Sequence, residues 1–273
     1  MANRLDQIVA ATRRRVVAAN SQADMPQLER RAEAHAPRGF RQALARKSAK
    51  GIAVVAELKK ASPSRGLIRS DFSPDRLSKE LEYAGADALS VLTDEEFFQG
   101  SLGNLQSASA STSLPCLRKD FIVDEFQLLE ARAFCADAIL LIVAVLSQSD
   151  LVALSTKSRA LGLDVLCEAH DEDELHRAVD AGCDLIGVNN RNLQTFVVDP
   201  RTTFRLAKLI PKNVIAVAES GIANGADMAH LRAAGYHAFL IGESLMRADS
   251  PGEALRSLLR SAEIEPSPLS IKS

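Results

Sequence analysis

From residue 53 onward, short apolar runs alternate with longer amphipathic segments. Eight runs, at 53–57, 87–91, 115–118, 137–142, 163–168, 184–189, 214–219 and 237–241, are almost wholly apolar. Such runs are expected of strands buried on both faces, as in parallel sheets. Between and after them, helical periodicity falls near 74–84, 102–111, 124–135, 147–161, 171–181, 200–209, 224–234 and 251–260. Parallel strands need crossover connections, so eight strand–helix units predict a parallel α/β architecture, a (β/α)8 barrel.

The punctuation agrees with these elements. Ser73-Pro74 reads as an N-cap before a first-turn proline. Gly85, Gly162, Gly182 and Gly235 each follow an amphipathic segment, where a left-handed residue ends a helix. Residues 1–50 read as an N-terminal helical extension, with helices near 3–19, 25–34 and 40–46. It is expected either to cap the barrel bottom or to cover the active face. The barrel is expected over 51–262. Residues 263–273, with two prolines and no periodicity, are expected as a loose tail.

Composition narrows the function classes. The 273 residues are 47% apolar and 4% aromatic, with no tryptophan, so the core must be aliphatic. Branched aliphatic layers suit a barrel interior. A net charge of −2 gives no general attraction to nucleic acid or an anionic membrane. Arg13-Arg14-Arg15 is expected on the solvated face of the first helix. No apolar run reaches the roughly 18 residues of a membrane span, and the first twenty residues lack a secretory pattern. A cytoplasmic protein is expected. Cys116, Cys135, Cys167 and Cys183 form no CxxC pair and are expected as buried free thiols in a reducing compartment. No HxH or HExxH spacing suggests a metal, and no glycine-rich nucleotide loop suggests a nucleotide cofactor.

Five strand candidates end in residues that move protons or hold anions. Glu57 and Lys59 follow four apolar residues, and period-two geometry turns both to one side. At a barrel strand end that side is the pocket; the plain alternative is a surface ion pair. Lys119 and Glu168 end the third and fifth strands as an acid and a base, or as solvated charges at loop starts. A desolvated lysine beside other cations would instead be an imine-forming nucleophile. Arg118 and Asp120 flank Lys119 and point elsewhere by alternation. His170 is expected at the pocket rim. Glu219-Ser220-Gly221 and Gly242-Glu243-Ser244 end the last two strands, where barrels often bind phosphate through backbone N–H groups.

Together these residues resemble the indole-3-glycerol phosphate synthase family. The resemblance rests on Glu57-Leu58-Lys59-Lys60-Ala61-Ser62-Pro63-Ser64, Leu117-Arg118-Lys119-Asp120-Phe121 and Asn189-Asn190-Arg191-Asn192-Leu193, with Phe97-Phe98-Gln99-Gly100 and the last two loops. It covers roughly residues 3 to 260 and implies a TIM barrel. Ala169 and Ala218 depart from it without removing a functional group. The implied reaction closes an indole ring on a phosphorylated aminodeoxyribulose, losing CO2 and water without a cofactor. By the same resemblance, Lys119 is the general acid and Glu168 the base. Lys59, oriented by Glu57, holds the substrate carboxylate and is a second acid. Asn189 and Ser220 position substrate hydroxyls and the ring nitrogen, and Arg191 pairs with the carboxylate. Gly221, Gly242 and Glu243 offer backbone N–H groups to phosphate, helped by Ser62. Phe97 and Phe121 provide apolar surface for the aromatic ring. A monomer or weak homodimer is expected. The rivals are a sister phosphate-binding isomerase, an imine-forming aldolase and a ligand-binding barrel without catalysis.

Overall fold

The computed structural model describes residues 4–193 and 197–263. The expected loose tail lies almost wholly outside them. Eight parallel strands close into a barrel in sequence order: β1 (Ala53–Leu58), β2 (Ala88–Leu92), β3 (Cys116–Lys119), β4 (Ala138–Ile142), β5 (Asp164–Ala169), β6 (Leu185–Asn189), β7 (Ile215–Glu219) and β8 (Ala238–Ile241). β8 pairs back onto β1, with Val55 opposite Leu240. Helices follow the strands and form the outer layer.

Seven of the eight strands start one residue later than the apolar pattern suggests. The cause is visible where the preceding residue is polar. Asp87 accepts from the Val54 amide at 2.9 Å, Asp137 from Cys116 at 2.6 Å, and His237 Nδ1 from Ala216 at 3.0 Å. Each side chain satisfies the first or second amide of the neighbouring strand, so the sheet ladder begins one step further on. Helix starts are capped by Ser101, Ser147, Asp171 and Asn224, each accepting from the residue three positions on. Ser73 holds the cap position but does not cap; its hydroxyl donates to Asp75 at 2.5 Å. Gly85 takes φ +101° after its helix, as expected, and Cys135 takes φ +66° where no glycine is present.

The core has two shells. Outward strand residues pack under the helices, while Val55, Leu117, Leu140, Leu166, Leu185, Val217 and Leu240 fill the barrel. The extension contributes to the inner shell at both ends. Its helices are α1 (Arg4–Gln22), α2 (Met25–Ala34) and α3 (Phe40–Ser48). Phe40 and Leu44 of α3 are fully buried against the barrel interior. The Arg41 amide donates to Asp164 at the start of β5, and its guanidinium pairs with Asp184 just before β6. α3 therefore closes the bottom. Leu5 and Ile8 of α1 join the same inner cluster from the opposite end. Both expected placements of the extension are thus occupied at once.

Two sequence expectations are corrected here. Arg13 and Arg14 are exposed, but Arg15 turns inward and bridges Asp94 at 3.1 Å and Asp120 at 3.0 Å. Each residue of a helix is rotated by about 100° from the one before, so a basic run cannot all face solvent on a packed helix. Cys167 and Cys183 are joined as a disulfide across the start of β6, which removes the cysteine argument for a reducing compartment. Cys116 and Cys135 are free. Burial pushes the Cys116 thiol up to about 12, so it packs as an inert side chain. No described helix is long and apolar enough to cross a membrane.

Candidate active site

A cavity of about 450 Å³ opens where the strands end. Alternation along each strand explains what enters it. Val55 points into the barrel, so Glu57 does too; Leu117 brings Lys119, Leu166 brings Glu168, Leu185 brings Asn189, and Val217 brings Glu219. Register places Asn189 level with Glu219 across β6 and β7. Arg118 and Asp120 point outward, as expected, yet both are buried. Asp120 accepts from Thr93 at 2.7 Å, from Arg118 at 3.0 Å and from Arg15. That network fixes the loop after Lys119 and ties α1 across the pocket mouth.

The centre is a lysine among carboxylates. Lys119 Nζ donates to Glu168 Oε2 at 2.7 Å and lies 3.3 Å from Glu219 Oε2. Burial lowers the lysine's pKa, but Glu168, Glu219 and Glu57 outweigh it and hold the group well above its usual range. That setting favours the charged ammonium over the neutral amine an imine-forming nucleophile needs. Burial pushes Glu168 up, but Lys119 and His170 overcome it and keep that carboxylate ionised. Glu219 goes the other way: burial, with repulsion from Glu168, pushes it up to about 8 despite the pull of Lys119. The two carboxylates are pushed in opposite directions, Glu168 down and Glu219 up, and such a separation lets paired acids take different roles.

Glu219 was expected only as part of the strand-end anion loop, without an acid–base role, although it obeys the same alternation as Glu168. Its carboxylate lies over Gly187, where an added Cβ would stand 2.1 Å from Oε1. Gly187→Ala is expected to push Glu219 off Lys119 and lower kcat by roughly 10- to 100-fold. Steady-state kinetics check this; an unchanged kcat would show that the placement of Glu219 does not matter.

Lys59 Nζ pairs with Glu57 Oε1 at 2.5 Å. Glu57 in turn packs on Gly242, where a Cβ would come within 2.3 Å of its Oε1. Further along the same rim, after β7, Ser220 and Gly221 take consecutive positive φ angles of 59° and 77°. Such backbone turns amides toward an anion, and at Ser220 it is strained. Asn190 braces the loop by donating to the Ser220 carbonyl at 3.0 Å. Gly242 precedes the short helix Glu243–Arg247. The Glu243 carboxylate gathers Arg65 at 3.1 Å, Arg247 at 3.3 Å and Arg191 at 3.5 Å. The Ser62 hydroxyl is buried in the same cavity without a hydrogen-bond partner.

The apolar end is made by Leu5, Ile8, Phe98, Phe121, Leu140 and Ile142. Phe98 takes the place expected of Phe97. Asp94 caps the one-turn helix Glu95–Phe98 by accepting from the Phe97 amide at 2.7 Å, and this turns Phe98 to the cavity. Phe97 packs against the inner core without lining the cavity. The Phe98 and Phe121 rings are 6.4 Å apart. His170 is not at the rim: it stands behind Glu168, with Nε2 3.3 Å from Oε1. Nothing in the sequence near Leu5 or Ile8 says which barrel end they reach; that is decided by chain-distant packing.

The fold and this site define a (β/α)8 barrel whose strand-end cavity sets a lysine–carboxylate cluster between an apolar slot and a rim of glycine-bearing loops. The indole-3-glycerol phosphate synthase family model matches residues 5–258. The indole-3-glycerol phosphate synthase of Koribacter versatilis is 58% identical over 259 residues, covering 95% of this chain and all of that one. That of Desulfotalea psychrophila is 50% identical, covering 82% and 85%. Among solved structures, a mandelate oxidase mutant superposes with a TM-score of 0.59 at 18% identity, over 77% of this chain and 71% of that one. That likeness shows the fold alone. The chain belongs to the indole-3-glycerol phosphate synthase family. It is a carboxy-lyase of tryptophan biosynthesis, converting 1-(2-carboxyphenylamino)-1-deoxyribulose 5-phosphate to indole-3-glycerol phosphate with loss of CO2 and water.

Proposed function

We propose that Lys119, Glu168 and Glu219 carry the proton transfers of this reaction, between an aryl slot and a phosphate rim. The aryl ring lies against Phe98, Phe121, Leu5 and Ile8. The phosphate meets the backbone amides of Gly221, Gly242 and Glu243, with the Ser62 hydroxyl beside them. Lys59, steadied by Glu57, and Arg191 hold the substrate carboxylate. Asn189 and Ser220 set the hydroxyls and the ring nitrogen.

The chemistry then follows from charge. Lys119 protonates the ribulose carbonyl oxygen while the ring carbon bearing the carboxylate attacks the carbonyl carbon. CO2 departs and its bonding electrons restore the aromatic ring. The new hydroxyl leaves as water, which needs a second proton, and a C–H proton must be lost to complete the indole. Glu168, ionised, takes that proton. Glu219, protonated and 3.3 Å from Lys119, reaches the same oxygen and supplies the second one. The observation that carries this reading is the geometry: Lys119 Nζ lies 2.7 Å from Glu168 Oε2 and 3.3 Å from Glu219 Oε2 at the cavity floor.

The reading makes activity depend on pH. A group whose pKa is raised to about 8 is protonated below that value and loses its proton as pH rises through it. kcat/KM is therefore expected to fall above pH about 8, approaching tenfold per unit. Glu219→Gln is expected to be slow and to lack this limb. A limb that persists near 8 in the variant assigns it to another group.

A phosphorylated substrate does not leak across membranes, so the enzyme is placed in the cytoplasm, where such substrates are made. One chain lines the whole described cavity, which fits a monomer or weak homodimer. Light scattering across a concentration series tests the latter, and an obligate larger assembly would overturn it.

A further inference from the structure

The reaction consumes a proton. A carboxylate enters and leaves as CO2, two protons are donated to the departing oxygen, and one is recovered from carbon. Each turnover therefore draws one proton from bulk water. With substrate in the cavity, the acids that need recharging are shut off from the mouth. The Lys119 side chain is 13% exposed and that of Glu168 only 1% even in the open cavity.

A second path leads out through the barrel wall. Lys119 Nζ is 2.7 Å from Glu168 Oε2, and Glu168 Oε1 is 3.3 Å from His170 Nε2. On its far side, His170 Nδ1 is 2.9 Å from Glu174 Oε2. Neither His170 nor Glu174 lines the cavity, yet their side chains are 12% and 15% exposed. The path thus begins in the cavity and ends at a different surface. From the sequence, His170 has no assigned role beyond standing near the pocket.

We propose that His170 is the relay through which bulk water reprotonates the active site, by way of Glu168. This rests on the acid–base roles given above. The geometry sets the direction. Glu174 Oε2 accepts from both the His170 amide, at 2.8 Å, and Nδ1. That grip keeps Nδ1 protonated and leaves Nε2 as the nitrogen that gains and loses a proton. Nε2 is buried and makes no aligned hydrogen bond in the resting structure, so small ring movement separates contact from transfer.

Each step balances in protons and moves no electrons between groups. Glu168 first returns the proton it took from carbon to the neutral amine that Lys119 becomes after donation, and Lys119 passes it on to the Glu219 carboxylate 3.3 Å away. Imidazolium Nε2–H then passes to Glu168 Oε1, the carboxyl group turns over, and its proton recharges Lys119, leaving Glu168 ionised. The neutral imidazole then takes a proton from water. The charged groups facing the imidazole are Glu168 from β5 and Glu174 from the helix Glu172–Asp180. Lys119 of β3 and Glu219 of β7 face Glu168 from the other side. Burial lowers the histidine's pKa, but the two carboxylates raise it to about 10, so the relay stands loaded at neutral pH.

The test compares His170→Gln with the wild type, following indole formation in buffers of low and high imidazole concentration. The glutamine fills the space and keeps polar contact, and a cooperative urea transition confirms that it folds. The expected result is a kcat about tenfold lower with KM unchanged, recovering as imidazole is added, while the wild type ignores imidazole. An unchanged kcat overturns the relay, and so does a loss that imidazole does not restore. A Lys119→Met enzyme, run alongside, should stay inactive in imidazole. If it were active, the acid–base reading itself would fail, whatever His170 does.

Discussion

Lys119→Met is expected to abolish most of the fluorescence rise that marks indole formation, lowering kcat by about 10³- to 10⁴-fold. Methionine keeps the length and apolar stem of the side chain but cannot donate a proton. Glu168 loses its lysine and keeps His170 as its charged partner. The variant is therefore expected to unfold cooperatively with a midpoint somewhat below that of the wild type. With no tryptophan in the chain, the product signal rises from a dark background. A variant that folds and keeps more than about a tenth of wild-type kcat would sink the assignment of Lys119 as the acid.

The second large effect is expected from Glu168→Gln, with kcat falling about 10²- to 10³-fold. Glutamine still accepts from Lys119 but takes up no proton. A thermodynamic signature should accompany the kinetic one. His170 is raised from 6.5 to about 10 in the folded protein, largely against burial, by Glu168 and Glu174. A raised pKa contributes stability that is complete below the unfolded value and is lost as pH rises through the folded one. Glu219, raised to about 8 in part by Glu168, acts with the same sign. Wild-type stability should therefore decline from pH about 4.5 to 8 through Glu219 and from about 6.5 to 10 through His170, and the variant should decline less. Denaturant midpoints across that range measure it. Parallel slopes in the two proteins would mean that Glu168 does not hold those protons.

Much of this was readable in the chain, for a physical reason. Strands buried on both faces must be continuous apolar runs, so all eight stood out. Three of the seven displaced starts arise because Asp87, Asp137 and His237 use side chains where the pattern suggested ladder bonds. Inside the barrel, period-two alternation carried Glu57, Lys119, Glu168 and Asn189 to the cavity. Glu219 followed the same rule, but Ser220-Gly221 beside it drew the attention as an anion loop. Phe97 and Phe98 are adjacent and chemically equal; only the cap at Asp94 decides which faces inward. The Cys167–Cys183 bond and the contacts of Leu5, Ile8 and Arg15 join positions far apart in sequence or without a spacing signature. No local pattern encodes them.

The pairing of β8 with β1 has a consequence for how the chain is made. The first strand finds its second neighbour only after nearly the entire barrel has been synthesised. Until then β1 presents an unpaired edge, and the inner faces of α1 and α3 have no complete interior to close. Exposed strand edges and apolar helix faces recruit other chains. A ribosomal product that stops before β8 is thus a seven-stranded open sheet prepared for aggregation, and quality control must meet it before folding can.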